Sequence, residues 1–266
     1  MTPASGLAEA LTPRIAAAAG ARPLVVGLTG SQGSGKSTLA ARLPPLLAAR
    51  GLRAVVLSLD DLYLPKAERQ RLAREVHPLL ATRGVPGTHD VALGARTLAS
   101  LGRTGETLIP RFDKATDDRL PRAEWTRFEG PADVIIFEGW CVGARPQLPD
   151  ALDQPVNDLE RTRDPEGVWR RYANDALAGP YRALFDPIGF QALLLAPSFD
   201  VVLGWREQQE HALIARGGHG QTDAELAVFV QHYERLTRWI GEEMPGRADV
   251  TARLEADRNV LELVGK

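Results

Sequence analysis

Leu24-Val-Val-Gly-Leu-Thr-Gly-Ser-Gln-Gly-Ser-Gly-Lys-Ser-Thr-Leu39 is the stretch whose reading decides the fold. Leu24 to Leu28 is an apolar run of strand length,. It is closed by Gly30-Ser31-Gln32-Gly33-Ser34-Gly35-Lys36-Ser37, which fits the phosphate-loop pattern G-x-x-x-x-G-K-[ST] at every position,. Gly30, Gly33 and Gly35 can adopt backbone angles closed to other residues, so the chain can curl with successive N–H groups pointing inward,. The helix expected after the loop sets the positive end of its dipole behind the same hollow, where a polyphosphate can sit. The expected nucleotide-binding set is therefore Gly30, Ser31, Gly33, Ser34, Gly35, Lys36, Ser37 and Thr38. Lys36 would reach the β- and γ-phosphates, and the Ser37 hydroxyl would hold Mg²⁺,. The alternative is a glycine-rich structural turn, which requires neither the strand before nor the helix after.

Working outward, 266 residues suffice for one elaborated α/β domain or two small ones,. With 44% hydrophobic residues, 25% charged residues and a formal net charge of −2, a nucleic-acid surface is not expected,. Cys141 stands alone, which excludes an internal disulfide or a multi-thiolate metal site and suits a reducing cytoplasm,. No run approaches membrane-spanning length, and the N-terminus lacks the pattern of a targeting signal,. No obligate protein partner is evident. Residues 1–21 read as an N-terminal helical extension, with a surface helix over 1–19, and residues 22–266 as the nucleotide-binding domain.

Lys36 to Arg50 is expected to be helical, stopped by Gly51, with a kink or break near Leu43 because Pro44-Pro45 falls inside it,. A second buried strand, Arg53 to Leu59, runs into Asp60-Asp61-Leu62-Tyr63-Leu64-Pro65. In parallel sheets ligands bind at the carboxyl ends of the strands, so both acids arrive on the edge that carries the phosphate loop. Residues 66–75 read as helix, Thr88 as the cap of a helix over 89–101, and Leu108 to Arg122 as a charged loop. Asp133 to Phe137 is a third strand, ending in Glu138. Asp164-Pro165-Glu166 reads as a helix start, with the helix running to about Leu184,. Phe199 to Leu203 reads as the fourth strand, Trp205 to Arg216 as a helix broken by Gly217-Gly218-His219-Gly220, and Thr222 to Glu225 as a capping box,. Ala248 to Leu254 completes a five-stranded, mostly parallel sheet in an α/β three-layer sandwich, with Val260 to Val264 as a possible edge strand,.

Beside a phosphate loop, Asp60 suits a carboxylate that takes the acceptor hydroxyl's proton or orients the metal; otherwise Asp60-Asp61 caps a turn,. Glu138, after an apolar run, suits the metal-associated acid of the third strand, or else forms an N-cap or a buried ion pair,. The metal set is thus Ser37, Asp60 and Glu138. Arg206 and Arg216, on a glycine-hinged element over about 205–222, could close over the triphosphate, or be solvated helix arginines,. Arg83, His89, Arg111 and Lys114 lie in charged loops, about 76–122, that could cover an anionic acceptor, or are surface charge,. His77, His211 and His232 lack metal-ligand spacing, Cys141 reads as a buried thiol, and the tryptophans as core or rim.

Leu59 to Pro65 and Phe137-Glu138-Gly139-Trp140, following the loop, resemble the small-molecule kinases related to phosphoribulokinase, uridine kinase and bacterial pantothenate kinase. The resemblance implies a P-loop kinase fold with a helical lid, Asp60 as base and Glu138 as the acid near the metal. Arg83-Gly-Val-Pro-Gly-Thr-His-Asp90, Pro110-Arg-Phe-Asp-Lys114, Glu138-Gly-Trp-Cys-Val-Gly143 and Trp205-Arg206-x-Gln208-Gln209-Glu210 are similar to the D-glycerate 3-kinase family, from about residue 22 onward. That likeness implies an ATP- and Mg²⁺-dependent kinase whose first-choice acceptor is D-glycerate, with Arg206 or Arg216 stabilising the transferred group and Arg83, His89 and Arg111 gripping the acceptor. The rivals are a kinase for a nucleoside or pantothenate-like acceptor, and a nucleotide-dependent switch or chaperone. A guanine-specific switch needs an Asn/Thr-Lys-x-Asp motif and an Asp-x-x-Gly after the third strand; Glu138-Gly139 occupies the second place.

Overall fold

The computed structural model describes residues 6–20, 23–215 and 221–265. Its elements begin with α1 (Leu7–Ala18), β1 (Leu24–Gly30), α2 (Lys36–Ala48), β2 (Ala54–Ser58), α3 (Lys66–Glu75) and α4 (Val91–Leu101). Four short strands follow: β3 (Gly105–Ile109), β4 (Phe112–Asp113), β5 (Asp118–Arg119) and β6 (Thr126–Gly130). The chain continues through β7 (Val134–Gly139), α5 (Asp158–Arg163), α6 (Val168–Ala178), α7 (Pro180–Phe185) and β8 (Ile188–Leu195). It ends with α8 (Asp200–Ala215), α9 (Asp223–Glu243), β9 (Val250–Leu254) and β10 (Val260–Gly265).

Strands buried on both faces read as continuous apolar runs, and every residue of β1 and β7 is buried. They form the middle of a six-stranded sheet in the order β10-β9-β8-β1-β7-β2, parallel throughout except for β10. Side chains alternate between two cores. Ile135 and Phe137 of β7 face α4, α7 and α9 with Leu98, Tyr181 and Ile240. Val134 and Ile136 face α1 and α2 with Ile15, Leu39, Leu43 and Leu47. Helices on both faces make the three layers expected from the sequence.

Several local expectations differ. The fourth parallel strand is β8, not Phe199 to Leu203, which lies at the start of α8. Phe199, Val202 and Leu203 fall at i, i+3 and i+4 and pack together against Leu226, Val230 and Phe229, a helical period that a short apolar run conceals,. The helix expected from Asp164 to Leu184 is two helices, α6 and α7, with Gly179 between them and Pro180 opening the second. The Asp164 carboxylate still accepts from the first-turn N–H groups of Trp169 and Arg170. Asp90, not Thr88, caps α4. Within the charged stretch 108–122, β4 and β5 form a small hairpin, and β3 pairs with β6. α2 runs unbroken through Pro44 and Pro45. Proline inside a helix costs about 3 kcal/mol, but Leu39, Leu43 and Leu47 on its inner face are buried, and each such side chain contributes about 1.5–3 kcal/mol,. α1 is helical as expected, yet Leu7, Leu11 and Ile15 are buried in the core beneath the phosphate-loop strand.

His89 is a core residue. It is 4% exposed, lies stacked on Tyr63 with ring centroids 4.4 Å apart, and its Nδ1 is 2.6 Å from the Tyr181 hydroxyl. Gly87 N–H donates to the same hydroxyl oxygen. Burial drives the imidazole pKa down to about 3, against a weaker upward pull from Asp60,. The unfolded chain, whose histidine titrates near 6.5, therefore binds the proton first as pH falls. Stability from this group is full above about pH 6.5 and is lost towards pH 3, at no more than about 1.4 kcal/mol per pH unit,. Urea unfolding from pH 7 to pH 4 should give a flatter stability curve for His89→Asn than for the parent; identical slopes would contradict this assignment.

Candidate active site

The phosphate loop leaves the carboxyl end of β1 as a curl that needs glycine at two points. Gly33 and Gly35 have φ of 77° and 88°, and a Cβ on Gly33 would lie 2.5 Å from the Cβ of Trp205,. Gly35 then caps α2, whose axis starts at Lys36. The hydroxyls of Ser31 and Ser34 and the side-chain oxygen of Gln32 are buried without a hydrogen-bond partner. Unpartnered buried polar atoms are costly, and these stand just before the N-terminus of α2, where an anion is favoured,. The loop is braced from outside by Arg258, whose Nε donates to Gly33 O at 2.6 Å while its guanidinium lies 5.2 Å from the Trp205 ring centroid.

Parallel register brings the strand ends level. Glu138 on β7 pairs with Leu28 of β1 on one side and Ser58 of β2 on the other. Its Oε1 accepts from Ser58 Oγ at 2.7 Å and from Ser37 Oγ at 3.2 Å, while Oε2 is buried with no partner. A carboxylate oxygen left bare in this position fits a divalent cation. Ser37 and Glu138 offer the hard oxygen ligands Mg²⁺ prefers, with phosphate oxygens and water to complete its shell.

Past β2, two neighbouring acids have different fates. Asp61 faces inward and accepts from Phe112 N–H and Arg111, both at 3.0 Å. Burial raises its pKa, partly opposed by those contacts. Asp60 faces a hollow, where Oδ2 accepts from Lys114 Nζ at 2.6 Å and Oδ1 from the Tyr63 hydroxyl at 3.2 Å. Burial pushes the Asp60 carboxyl upward, but the charges of Lys114 and then Lys36 outweigh it and hold the group ionised, well below the ordinary carboxylate range,.

That hollow, of about 70 Å³, is lined by Gln32, Lys36, Asp60, Tyr63, Arg83, Lys114, Trp140, Arg206, Phe229 and Tyr233. Its walls are fixed by crossing hydrogen bonds. Trp140 Nε1 donates to Gly84 O at 3.0 Å and the Tyr233 hydroxyl to Arg83 O at 3.1 Å, so residues 83–84 are held between two aromatic rings. The Arg83 side chain is ion-paired to Asp117. Arg206 projects from α8 and is held by Gln209 at 3.0 Å and Glu210 at 2.8 Å. Glu210 also accepts from Gln221 N–H at 2.9 Å, tying α8 to the start of α9. A larger cavity of about 420 Å³ adjoins Gly30 and Ser31 between the end of β8 and α9.

Lys36, Asp60, Arg83 and Arg206 thus meet around one hollow, and Ser37, the residue after Lys36, is hydrogen-bonded to Glu138. Thr38 lies exposed in the first turn of α2. Arg111 is half exposed and bound to Asp61, and His89 stands behind Tyr63; neither lines the hollow. Arg216 and residues 217–220, part of the segment expected to form a lid, lie outside the described residues. Sequence reading did not single out Tyr63, Trp140, Phe229 and Tyr233 as cavity walls. The spacing of Phe229 and Tyr233, one turn apart on α9, is the one signal that could have paired them,.

The family model described as methylmalonyl Co-A mutase-associated GTPase MeaB matches residues 2–63, which span the phosphate loop. The chain is 38% identical over 223 residues to the uncharacterized kinase mug58 of Schizosaccharomyces pombe, covering 80% of this chain and 79% of that one. It is 34% identical to the chloroplastic D-glycerate 3-kinase of Arabidopsis thaliana, covering 79% of this chain and 46% of the plant protein. The solved structure of D-glycerate 3-kinase from Cryptococcus neoformans superposes with a TM-score of 0.82 at 28% identity, covering 98% of this chain and 97% of the other. With the phosphate loop, the parallel sheet and these similarities together, the chain belongs to the D-glycerate 3-kinase family of P-loop kinases.

Proposed function

We propose that the protein transfers the γ-phosphoryl group of ATP to an alcohol of a small carboxylated metabolite, with D-glycerate giving 3-phosphoglycerate as the first choice. The observation that carries this reading is the hollow around Asp60. At about 70 Å³ it is far smaller than the roughly 300–1,000 Å³ of sites that hold drug-sized ligands,. Lys36, Arg83, Lys114 and Arg206 surround it, a positive wall suited to an anionic acceptor,. A nucleoside or pantothenate would need more room than four packed aromatic rings leave.

In this reading the loop amides and Lys36 hold the phosphates, and Ser37 with Glu138 holds Mg²⁺, which would neutralise charge on the β- and γ-phosphates. Asp60 accepts the acceptor's hydroxyl proton as the new O–P bond forms and the bond to the β-phosphate oxygen breaks. Arg206, already in the cavity wall, is the better-supported lid arginine for the charge on the transferring group,. Arg83 faces the acceptor, whereas His89 and Arg111 act at one remove, supporting Tyr63 and Asp61. The likeness to a GTPase model ends at residue 63, before the segments that contribute Arg83, Lys114, Trp140 and Tyr233, which favours a kinase over a switch.

ATP consumption measured against D-glycerate, glycerol, uridine and pantothenate should be fastest with D-glycerate. Turnover of uridine or pantothenate with none of glycerate would reverse the acceptor assignment. Asp60→Asn should lower kcat by about 10²- to 10⁴-fold while ATP affinity changes little; full activity would remove Asp60 from the base role. Glu138→Gln should raise the Mg²⁺ concentration needed for half-maximal rate by about 10- to 100-fold, and an unaltered Mg²⁺ dependence would exclude it as a ligand.

A further inference from the structure

The cations around the hollow are not equivalent. Arg83 is held by Asp117, and Arg206 by Glu210 and Gln209, so each is already committed to a carboxylate or amide outside the cavity. Lys114 instead has as its partner the Asp60 carboxylate itself, at 2.6 Å. Its side chain is 60% exposed, and its four-carbon stem can swing without disturbing packing,.

The segment that presents it is built to hold the backbone still. Lys114 follows β4 at the tip of the β4–β5 hairpin. The Asp113 carboxylate accepts from the N–H groups of Ala115 and Thr116 at 2.9 and 3.3 Å, setting the turn. At the base, Asp61 accepts from Phe112 N–H, and Asp118 from Lys66 N–H at 3.1 Å. Asp117, at a φ of 56°, is gripped by Arg69, which is fully buried and donates to the Asp117 carbonyl at 2.6 Å. A fixed hairpin with one free-swinging cation aimed at the base is more structure than a surface ion pair requires, since exposed pairs contribute little stability.

Resting on the kinase reading above, we propose that Lys114 is the residue that makes the site demand an anionic acceptor, by exchanging its partner. In the empty site it neutralises Asp60. When an acceptor enters, its carboxylate takes over the Lys114 ammonium, and Asp60 is left with a free oxygen towards the hydroxyl. The proton then passes from that hydroxyl to Asp60, the hydroxyl oxygen bonds to the γ-phosphorus, and ADP departs with the electron pair of the broken bond. A neutral alcohol offers Lys114 nothing in return for Asp60, so it finds the base occupied.

The test compares D-glycerate with glycerol, which keeps the hydroxyls and lacks the charge, in the parent, Lys114→Met and Lys114→Arg. The ratio of kcat/KM for glycerate over glycerol should fall by about 10- to 100-fold in Lys114→Met, chiefly through the KM for glycerate, with the KM for ATP unchanged. Lys114→Arg should recover most of it. An unchanged ratio, or an equal loss on both acceptors, would overturn the exchange. Should the parent ignore glycerate but use another anionic alcohol, the acceptor assignment fails alone, and the same ratio is read against that alcohol's neutral analogue. A parent that prefers glycerol to glycerate overturns the inference and leaves the kinase reading standing.

Discussion

The arrangement depends on one hydrogen-bonded junction, in which the Glu138 carboxylate accepts from Ser58 on one side and Ser37 on the other. A buried carboxylate is tolerated only where hydrogen bonds or cations compensate for lost water. Here the compensation comes from the first turn of α2 and the end of β2, so the acid ties the phosphate loop to its neighbouring strands. The level register of β1, β7 and β2 makes that possible, because Leu28, Glu138 and Ser58 stand side by side. The chain leaves β2 at the same level, which is why Asp60 reaches the loop's lysine without a long connection.

Charge is the second organising constraint. Four cations face a small hollow that holds a single carboxylate, and such a cluster repels itself unless anions balance it,. Asp117 and Glu210 balance two of the cations from outside the cavity, and Asp60 balances Lys114 from within. The net positive wall that remains would be matched by a triphosphate and by the acidic acceptor proposed above. Tyr63, Trp140 and Tyr233, all buried, form the apolar part of the hollow's wall.

The elements that carry chemistry were legible because their chemistry restricts the residues available. Gly33 and Gly35 adopt positive φ angles, and the strands before Asp60 and Glu138 are short apolar runs that end in acids, so both the loop and the two carboxylates could be placed from sequence. What was misread is what tertiary packing decides. Phe199 to Leu203 and Ile188 to Leu195 are both apolar, and only the partners of each, Leu226 and Val230 for one and β1 for the other, separate helix from strand. His89 looked like a ligand-gripping cation in a polar loop, but Tyr181, Tyr63 and burial make it a neutral core residue. Pro44 and Pro45 carry a strong helix-breaking signal that the buried leucines of α2 override.

The central claim is that a small acid sits between Asp60 and the phosphate loop with its hydroxyl towards the γ-phosphate. A crystal structure of the protein with Mg²⁺, a non-hydrolysable ATP analogue and D-glycerate tests it most directly. The account predicts the C3 hydroxyl within hydrogen-bonding distance of Asp60, the carboxylate on the cationic wall, and the metal on Ser37 and Glu138. Glycerate bound elsewhere, such as the larger cavity between β8 and α9, with Asp60 turned away from it, would contradict the account.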